Sequence, residues 1–246
     1  VGVIGAGIVG ICCALYLQRD GHAVTVLDPE PPGEGGASFG NSGILAIDHC
    51  VPNAHPGIAW QVPGFLLDPL GPLTIRWRYL PRAAPWLLRF LAASRPAAFQ
   101  ASARGLQALH DHALAAYEPL VQSAGAQALI RRTGWMVVFE STAAFQKARP
   151  YKVEMRLACG VKTEVLDGRG AREREPALSE AIRHGVYYPE VAQTTDPLRL
   201  VQVLAQHFQR RGGTLCRERV RGFTLGAHGA EVVHTDATAH ATDAVV

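Results

Sequence analysis

The residues best suited to chemistry gather at the amino-terminal end of the chain. Gly5-Ala6-Gly7-Ile8-Val9-Gly10 is a G-x-G-x-x-G string, and Asp28 stands 23 positions after its first glycine. Glycines at this spacing can bring a main chain against a pyrophosphate. Gly5 permits a tight turn, Gly7 lets the backbone approach the phosphates, and Gly10 lets a helix pack on a strand. A helix that starts here offers unpaired N–H groups and a positive dipole end to an anion. Asp28 is placed to accept hydrogen bonds from ribose hydroxyls, and an acid rather than an arginine disfavours a 2′-phosphate, hence NADP. The chemistry on offer is dinucleotide binding.

Alone the glycine string is weak; its context raises it. Val1 to Ile4 is a short apolar run of the kind that makes a buried parallel strand. From Ile8 the apolar residues recur as Ile8, Ile11, Cys12 and Leu15, one face of a helix, and Ala14 is small enough for close packing on a strand. Gly21 suits a left-handed helix end, and Ala23 to Leu27 makes a second strand that delivers Asp28.

The next segment, Gly33 to Leu45, is too rich in glycine and small polar residues for a helix or a central strand. It can be a loop whose amides and Ser/Asn side chains lie against a polar, planar ligand. Here the sequence resembles the D-amino acid oxidase-like superfamily of FAD-dependent oxidoreductases, nearest in appearance to the small-subunit type of D-amino acid dehydrogenase. The resemblance implies FAD as cofactor and makes Ser38, Asn41, Ser42 and Gly43 flavin-side contacts. Relatives acting on sarcosine or dimethylglycine often carry a histidine for covalent flavin attachment in this loop. The matching place is Gly40, which implies non-covalent FAD. The same loop contains Gly36-Ala37-Ser38-Phe39-Gly40, a G-x-S-x-G string of serine hydrolases. That motif needs a strand before it and a helix after it, whereas Pro31-Pro32-Gly33 precedes and Asn41-Ser42-Gly43 follows.

Composition sets the bounds. The 246 residues are 48% hydrophobic and 18% charged, ample for a buried core, and the net charge of +3 does not argue for a nucleic-acid partner. Cys12, Cys13, Cys50, Cys159 and Cys216 are odd in number and lack the spacing of a disulfide framework or zinc site, so we expect reduced thiols and no metal. No basic leader opens the chain and no apolar run reaches the roughly 18 residues of a membrane span. These features point to a cytoplasmic protein. Val1 already lies in a strand, and Ala244-Val245-Val246 reads as another, so the sequence is expected to be a fragment cut at both ends.

The remaining segments supply a second structural region. Residues 49–95 are rich in Pro and Trp and predict irregular structure with short helices. Ile75 to Arg82 and Trp86 to Leu91 interleave aromatic and basic residues around an apolar face. The favoured reading is a helix packing inward; the alternative is peripheral contact with the inner face of the plasma membrane. Residues 97–124 predict one long helix with Leu106, Leu109, Ala113, Tyr117 and Leu120 on its apolar face, kinked at Pro119. His110 and His112 point to different faces and make poor metal partners. Ala128 to Arg131 and Trp135 to Glu140 predict a hairpin, and Ile182 to Tyr188 a strand. Asp196-Pro197 is a helix start. Thr214 to Val220 follows as a strand, then a meander over 223–241 and a buried return strand at 243–246.

This order again resembles the family, with Val220 as a backbone contact to adenine. The expected fold is α/β: a Rossmann-like FAD-binding domain (residues 1–50 and 194–246) with an inserted α+β substrate domain (51–193). The resemblance implies oxidative deamination of D-amino acids, the α-carbon giving hydride to flavin N5 and the imine hydrolysing to a 2-oxo acid and ammonia. Electrons would pass to a quinone or electron-transfer chain. The alternatives are a glycine- or sarcosine-type amine oxidoreductase and a nucleotide-binding remnant without activity. Catalytic side chains are expected beyond Val246, so the 246 residues alone are expected to be inactive.

Overall fold

The computed structural model describes residues 1–68, 74, 76–226 and 229–246. The apolar runs at the start give β1 (Gly2–Ile4), α1 (Ile8–Arg19) and β2 (Thr25–Leu27). β1 and β2 pair in parallel, Val3 opposite Val26. α1 stops where Gly21 takes φ 92°, a left-handed conformation open to a residue without a β-carbon. The two-residue strand β3 (Ile44–Leu45) closes the glycine-rich loop.

Four helices follow: α2 (Ile58–Leu67), α3 (Leu80–Ala93), α4 (Pro96–His110) and α5 (Ala113–Ala124). The single helix expected over 97–124 is therefore two. His110, Asp111 and His112 have low helix propensity, and α4 buries Phe99 and Ala103 while α5 buries Leu120, Val121 and Ala124. Leu109, expected on the apolar face, is 73% exposed, and Pro119 sits within α5. Ile75 of the aromatic–basic stretch lies outside the described residues.

Next come β4 (Ile130–Arg131), β5 (Trp135–Phe139), α6 (Thr142–Arg149), α7 (Met155–Ala158), β6 (Glu164–Asp167), α8 (Gly168–Arg174), β7 (His184–Tyr188) and β8 (Ala192–Thr194). The hairpin expected across Thr133-Gly134 does not form. β4 pairs with β8, whose other neighbour is β3, whereas β5 pairs with β7, flanked by β6. Gly134 turns at φ 66° and its N–H goes to Val191 O at 3.0 Å, tying β5 to the strand region after β7.

The chain ends with α9 (Pro197–Arg210), β9 (Thr214–Cys216), β10 (Val220–Gly226), β11 (Gly229–Thr235) and β12 (Ala239–Ala241). Asp196 caps α9 by accepting a hydrogen bond from Arg199 N at 2.9 Å, with Pro197 in the first turn. β9 pairs in parallel with β2, and stops at Cys216 rather than running on to Val220. β10, β11 and β12 form the expected antiparallel meander; the tip of its first turn, 227–228, lies outside the described residues. The last residues run parallel to β1, with Gly2 N bonded to Ala244 O at 2.9 Å and Ile4 N to Val246 O at 2.8 Å. Val246 itself is exposed, not buried as expected.

The chain divides into two compact units, one of residues 1–45, 114–133 and 192–246 and one of 46–113 and 134–191. Residues 114–133 thus pack with the dinucleotide-motif segment. In the first unit Ile11, Ala14 and Leu15 of α1 share a core with Leu204, Ala205 and Phe208 of α9 and with Leu120 and Val121 of α5. Each of the larger aliphatic and aromatic side chains buried here contributes about 1.5–3 kcal/mol. This packing holds the start of α1 against the ends of β1 and β2, where the glycine motif lies.

Candidate dinucleotide site

The turn from β1 into α1 is fixed by hydrogen bonds from both sides. Gly5, at φ 107°, donates its N–H to Leu27 O at 2.9 Å, and Ala6 N donates to Asp28 Oδ2 at 2.7 Å. Asp28 Oδ1 also accepts from Glu30 N at 2.9 Å, and Asp28 N donates to Cys216 O at 3.1 Å. Asp28 therefore stands at the ends of β2 and β9 and spends part of its acceptor capacity on the glycine turn. A carboxylate has about four lone-pair sites, so capacity remains for a hydroxyl. No motif or spacing announces this second duty.

The glycines are required by close approach. A β-carbon on Gly10 would lie 1.9 Å from Gly5 O, and one on Gly7 would lie 3.2 Å from Ser38 Oγ. The first four N–H groups of a helix have no partner within it; in α1 they belong to Gly7, Ile8, Val9 and Gly10. Ser38, buried despite its polarity, accepts from Ile8 N at 2.9 Å. The loop that carries Ser38 is thus pinned to the positive end of α1. A turn that admits no β-carbon at Gly10, with amide donors at the start of α1 and an acid behind it, fits a dinucleotide.

The rest of the loop is shaped locally. Asn41 Oδ1 accepts from Gly43 N at 2.8 Å, while its Nδ2 donates to Ala37 O at 2.9 Å. Gly43, at φ 68°, accepts from Thr194 N at 2.7 Å, and a β-carbon there would meet Thr194 O at 2.5 Å. Ser42 and Asn41 are exposed. Residues 36–40 form turns with neither a strand before nor a helix after, so no nucleophile elbow is built there. Gly40 has open space about it. Val220 lies half-buried at the first position of β10, paired with Thr235. All these residues belong to the first unit.

Two features escaped the sequence reading. In the first unit Glu218 Oε2 accepts from Thr235 Oγ1 at 2.6 Å and His240 Nε2 at 2.8 Å, with Cys216 Sγ close by. In the second unit Asp48 and Arg156, both buried, pair at 3.3 Å; His49 Nδ1 stands 3.2 Å from the same carboxylate. Arg156 also lies over the Tyr188 ring, which stacks on Trp135. Single Asp and Arg residues 108 apart leave no local pattern to find.

The family model described as FAD dependent oxidoreductase matches residues 1–246, and the chain belongs to that family, whose cofactor is FAD. The chain is 38% identical to a D-amino-acid oxidase of Bradyrhizobium diazoefficiens over all of its length and 58% of the relative's. It is 36% identical to D-amino acid dehydrogenase 2 of Ralstonia nicotianae over 76% of this chain and 45% of that protein. The structure of glycine oxidase from Geobacillus kaustophilus superposes with a TM-score of 0.64 at 19% identity, covering 99% of this chain and 53% of that one. The chain spans about half the length of the curated relatives it matches.

Proposed function

We propose that the protein to which this chain belongs oxidises D-amino acids to 2-oxo acids and ammonia with non-covalently held FAD. The match of this whole chain to part of a D-amino-acid oxidase carries this reading, because it spans both the glycine turn and the second unit. In it the first unit is a Rossmann-like FAD domain into which the substrate domain is inserted. Flavin chemistry supplies the acceptor of the substrate's hydride, while the protein positions and tunes. The amides of Gly7 to Gly10, with Gly5 and Ala6 shaping the turn, hold the pyrophosphate. Asp28 takes the ribose hydroxyls, and Val220 meets adenine through its backbone. Ser38, Asn41, Ser42 and Gly43 face the flavin side. Open space about Gly40, with no nucleophile in its place, supports non-covalent binding.

The test is anaerobic mixing of the full-length protein with substrate. D-alanine or another D-amino acid should bleach the flavin absorbance, and the L isomer should do so much less. Bleaching by glycine or sarcosine alone would move the protein to another branch. The dehydrogenase relatives support a quinone-type acceptor, and the oxidase relative supports oxygen. Reoxidation rates with oxygen and with an artificial quinone decide between them. Peripheral membrane contact finds support in charge. Residues 69–110 hold six arginines and no acid, and Trp77, Trp86 and Leu88 are exposed among them. No helix among the described residues is long and apolar enough to cross a membrane.

A further inference from the structure

α2 and α3 are apolar helices that bury nothing. Ile58–Leu67 is almost wholly hydrophobic and Leu80–Ala93 carries a strong apolar face, yet neither helix has a buried residue. Their inner faces, with Val62, Phe65, Leu87 and Phe90, wall a cavity of about 1080 Å³ within the second unit. That volume is in the range of sites for drug-sized ligands. Apolar surface on this scale calls for an occupant.

The polar end of the same cavity is cationic. Lys152 and Arg156 line it with His49 and His55, and Lys147 stands exposed at its rim. The acid whose charge reaches Lys152, Asp48, is itself wholly buried and already shared between Arg156 at 3.3 Å and His49 at 3.2 Å. Arg156 spends a further donor on Tyr151 O at 2.8 Å. Lys152 Nζ has no hydrogen bond or ion pair among the described residues. Burial, and then the neighbouring Arg156, pull its pKa below the ordinary lysine value against the opposing charge of Asp48. A half-buried ammonium with no hydrogen-bond acceptor among the described residues, at the end of an apolar chamber, is an anion's complement.

We propose that this chamber binds an amphipathic anion, its hydrocarbon tail between α2 and α3 and its carboxylate against Lys152 and Arg156. A neutral hydrocarbon would leave the Lys152 ammonium without a hydrogen-bond acceptor, and a cationic amphiphile would be repelled by the same groups. The chemistry that fits is a carboxylate on a long apolar chain, that of a free fatty acid.

The test uses the full-length, FAD-loaded protein and cis-parinarate fluorescence, with displacement by dodecanoate, dodecanol and dodecyltrimethylammonium below their micelle concentrations. Dodecanoate should displace the probe best, and added salt should weaken dodecanoate but not dodecanol. Lys152→Gln should weaken dodecanoate about tenfold, the scale of one hydrogen bond to a charged group, and leave dodecanol unchanged. Lys152→Arg should restore dodecanoate. Val62→Trp, which narrows the chamber between α2 and α3, should weaken both. If Lys152→Gln fails to fold, the salt comparison on the unaltered protein still decides. Equal displacement by anionic and cationic chains overturns the proposal. So does absence of probe uptake, which would mean that the remaining polypeptide fills the chamber. Flotation with vesicles but no uptake of monomeric dodecanoate would assign these helices to a lipid surface instead.

Discussion

Asp28→Asn separates two duties that one carboxylate performs. Its two oxygens accept from Ala6 N at 2.7 Å and Glu30 N at 2.9 Å, one on each side of the glycine turn. Asparagine has nearly the same shape but only one acceptor oxygen, so one of the two amides must face an NH₂ donor. A hydrogen bond to a charged group contributes about 1.5–3 kcal/mol. Asp28 is only half-buried, so the lower half of that range applies, about 1.5–2 kcal/mol. Against a total stability of about 5–15 kcal/mol this is a measurable fraction. The loss should appear in the apoprotein, before FAD is added. Hydrogen exchange at the Ala6 and Glu30 amides should quicken about tenfold or more, since 1.4 kcal/mol of lost protection is a factor of ten. Far-ultraviolet circular dichroism in urea is the suitable global probe, because Trp60, Trp77, Trp86 and Trp135 all lie outside this unit. FAD affinity should then fall further, through the distorted turn and the lost ribose acceptor. Unchanged exchange and urea midpoint in the apoprotein, with weaker FAD binding alone, would refute the claim that Asp28 builds the turn.

Three further outcomes are expected. Gly10→Ala puts a β-carbon 1.9 Å from the Gly5 carbonyl oxygen, against backbone that cannot rotate away; a loss of about 2–3 kcal/mol in urea unfolding is expected, whereas Gly36→Ala, with open space around it, should be near neutral. Burial alone would raise the Asp48 pKa, but the His49 hydrogen bond and charge, with Arg156, carry it below the usual 3.8. The stability it contributes is therefore complete above that pH and lost as pH falls through the folded value. Asp48→Asn should cost about 3–5 kcal/mol at neutral pH by stranding Arg156, and the gap between variant and parent, measured by urea unfolding, should close in acid below pH 3.8. Full-length protein should float with anionic liposomes at low salt, and replacing Arg78, Arg82 and Arg89 should abolish this. Failure to float would leave α3 as a helix that only lines its own unit.

What the sequence made legible is what is local. The β1–α1–β2 unit could be read because each of its parts is written within 28 consecutive residues: an apolar run, a helical period, glycines at the turn and an acid at the strand's end. The same holds for Asp196, whose side chain reaches only to the amide three residues on. Periodicity failed where two neighbouring elements serve different cores. Leu106 and Leu120 share a helical phase, yet the chain between them passes from one unit to the other, and the phase carries no mark of it. The 130–140 hairpin failed for the same reason, since β4 and β5 find partners 45 or more residues away. Ser38 lies between these cases. Its place in a loop of small polar residues was legible, but its bond to Ile8 N depends on that loop folding back 30 residues. Asp48 with Arg156 is the limiting case, a buried ion pair that no period or motif announces. Burying such a pair costs several kcal/mol per ion unless geometry offsets it. In the second unit that cost is met beside a lysine left without a partner, an arrangement difficult to explain by stability alone. Packing would favour apolar residues at all three positions; a cavity that must hold a negatively charged guest would not.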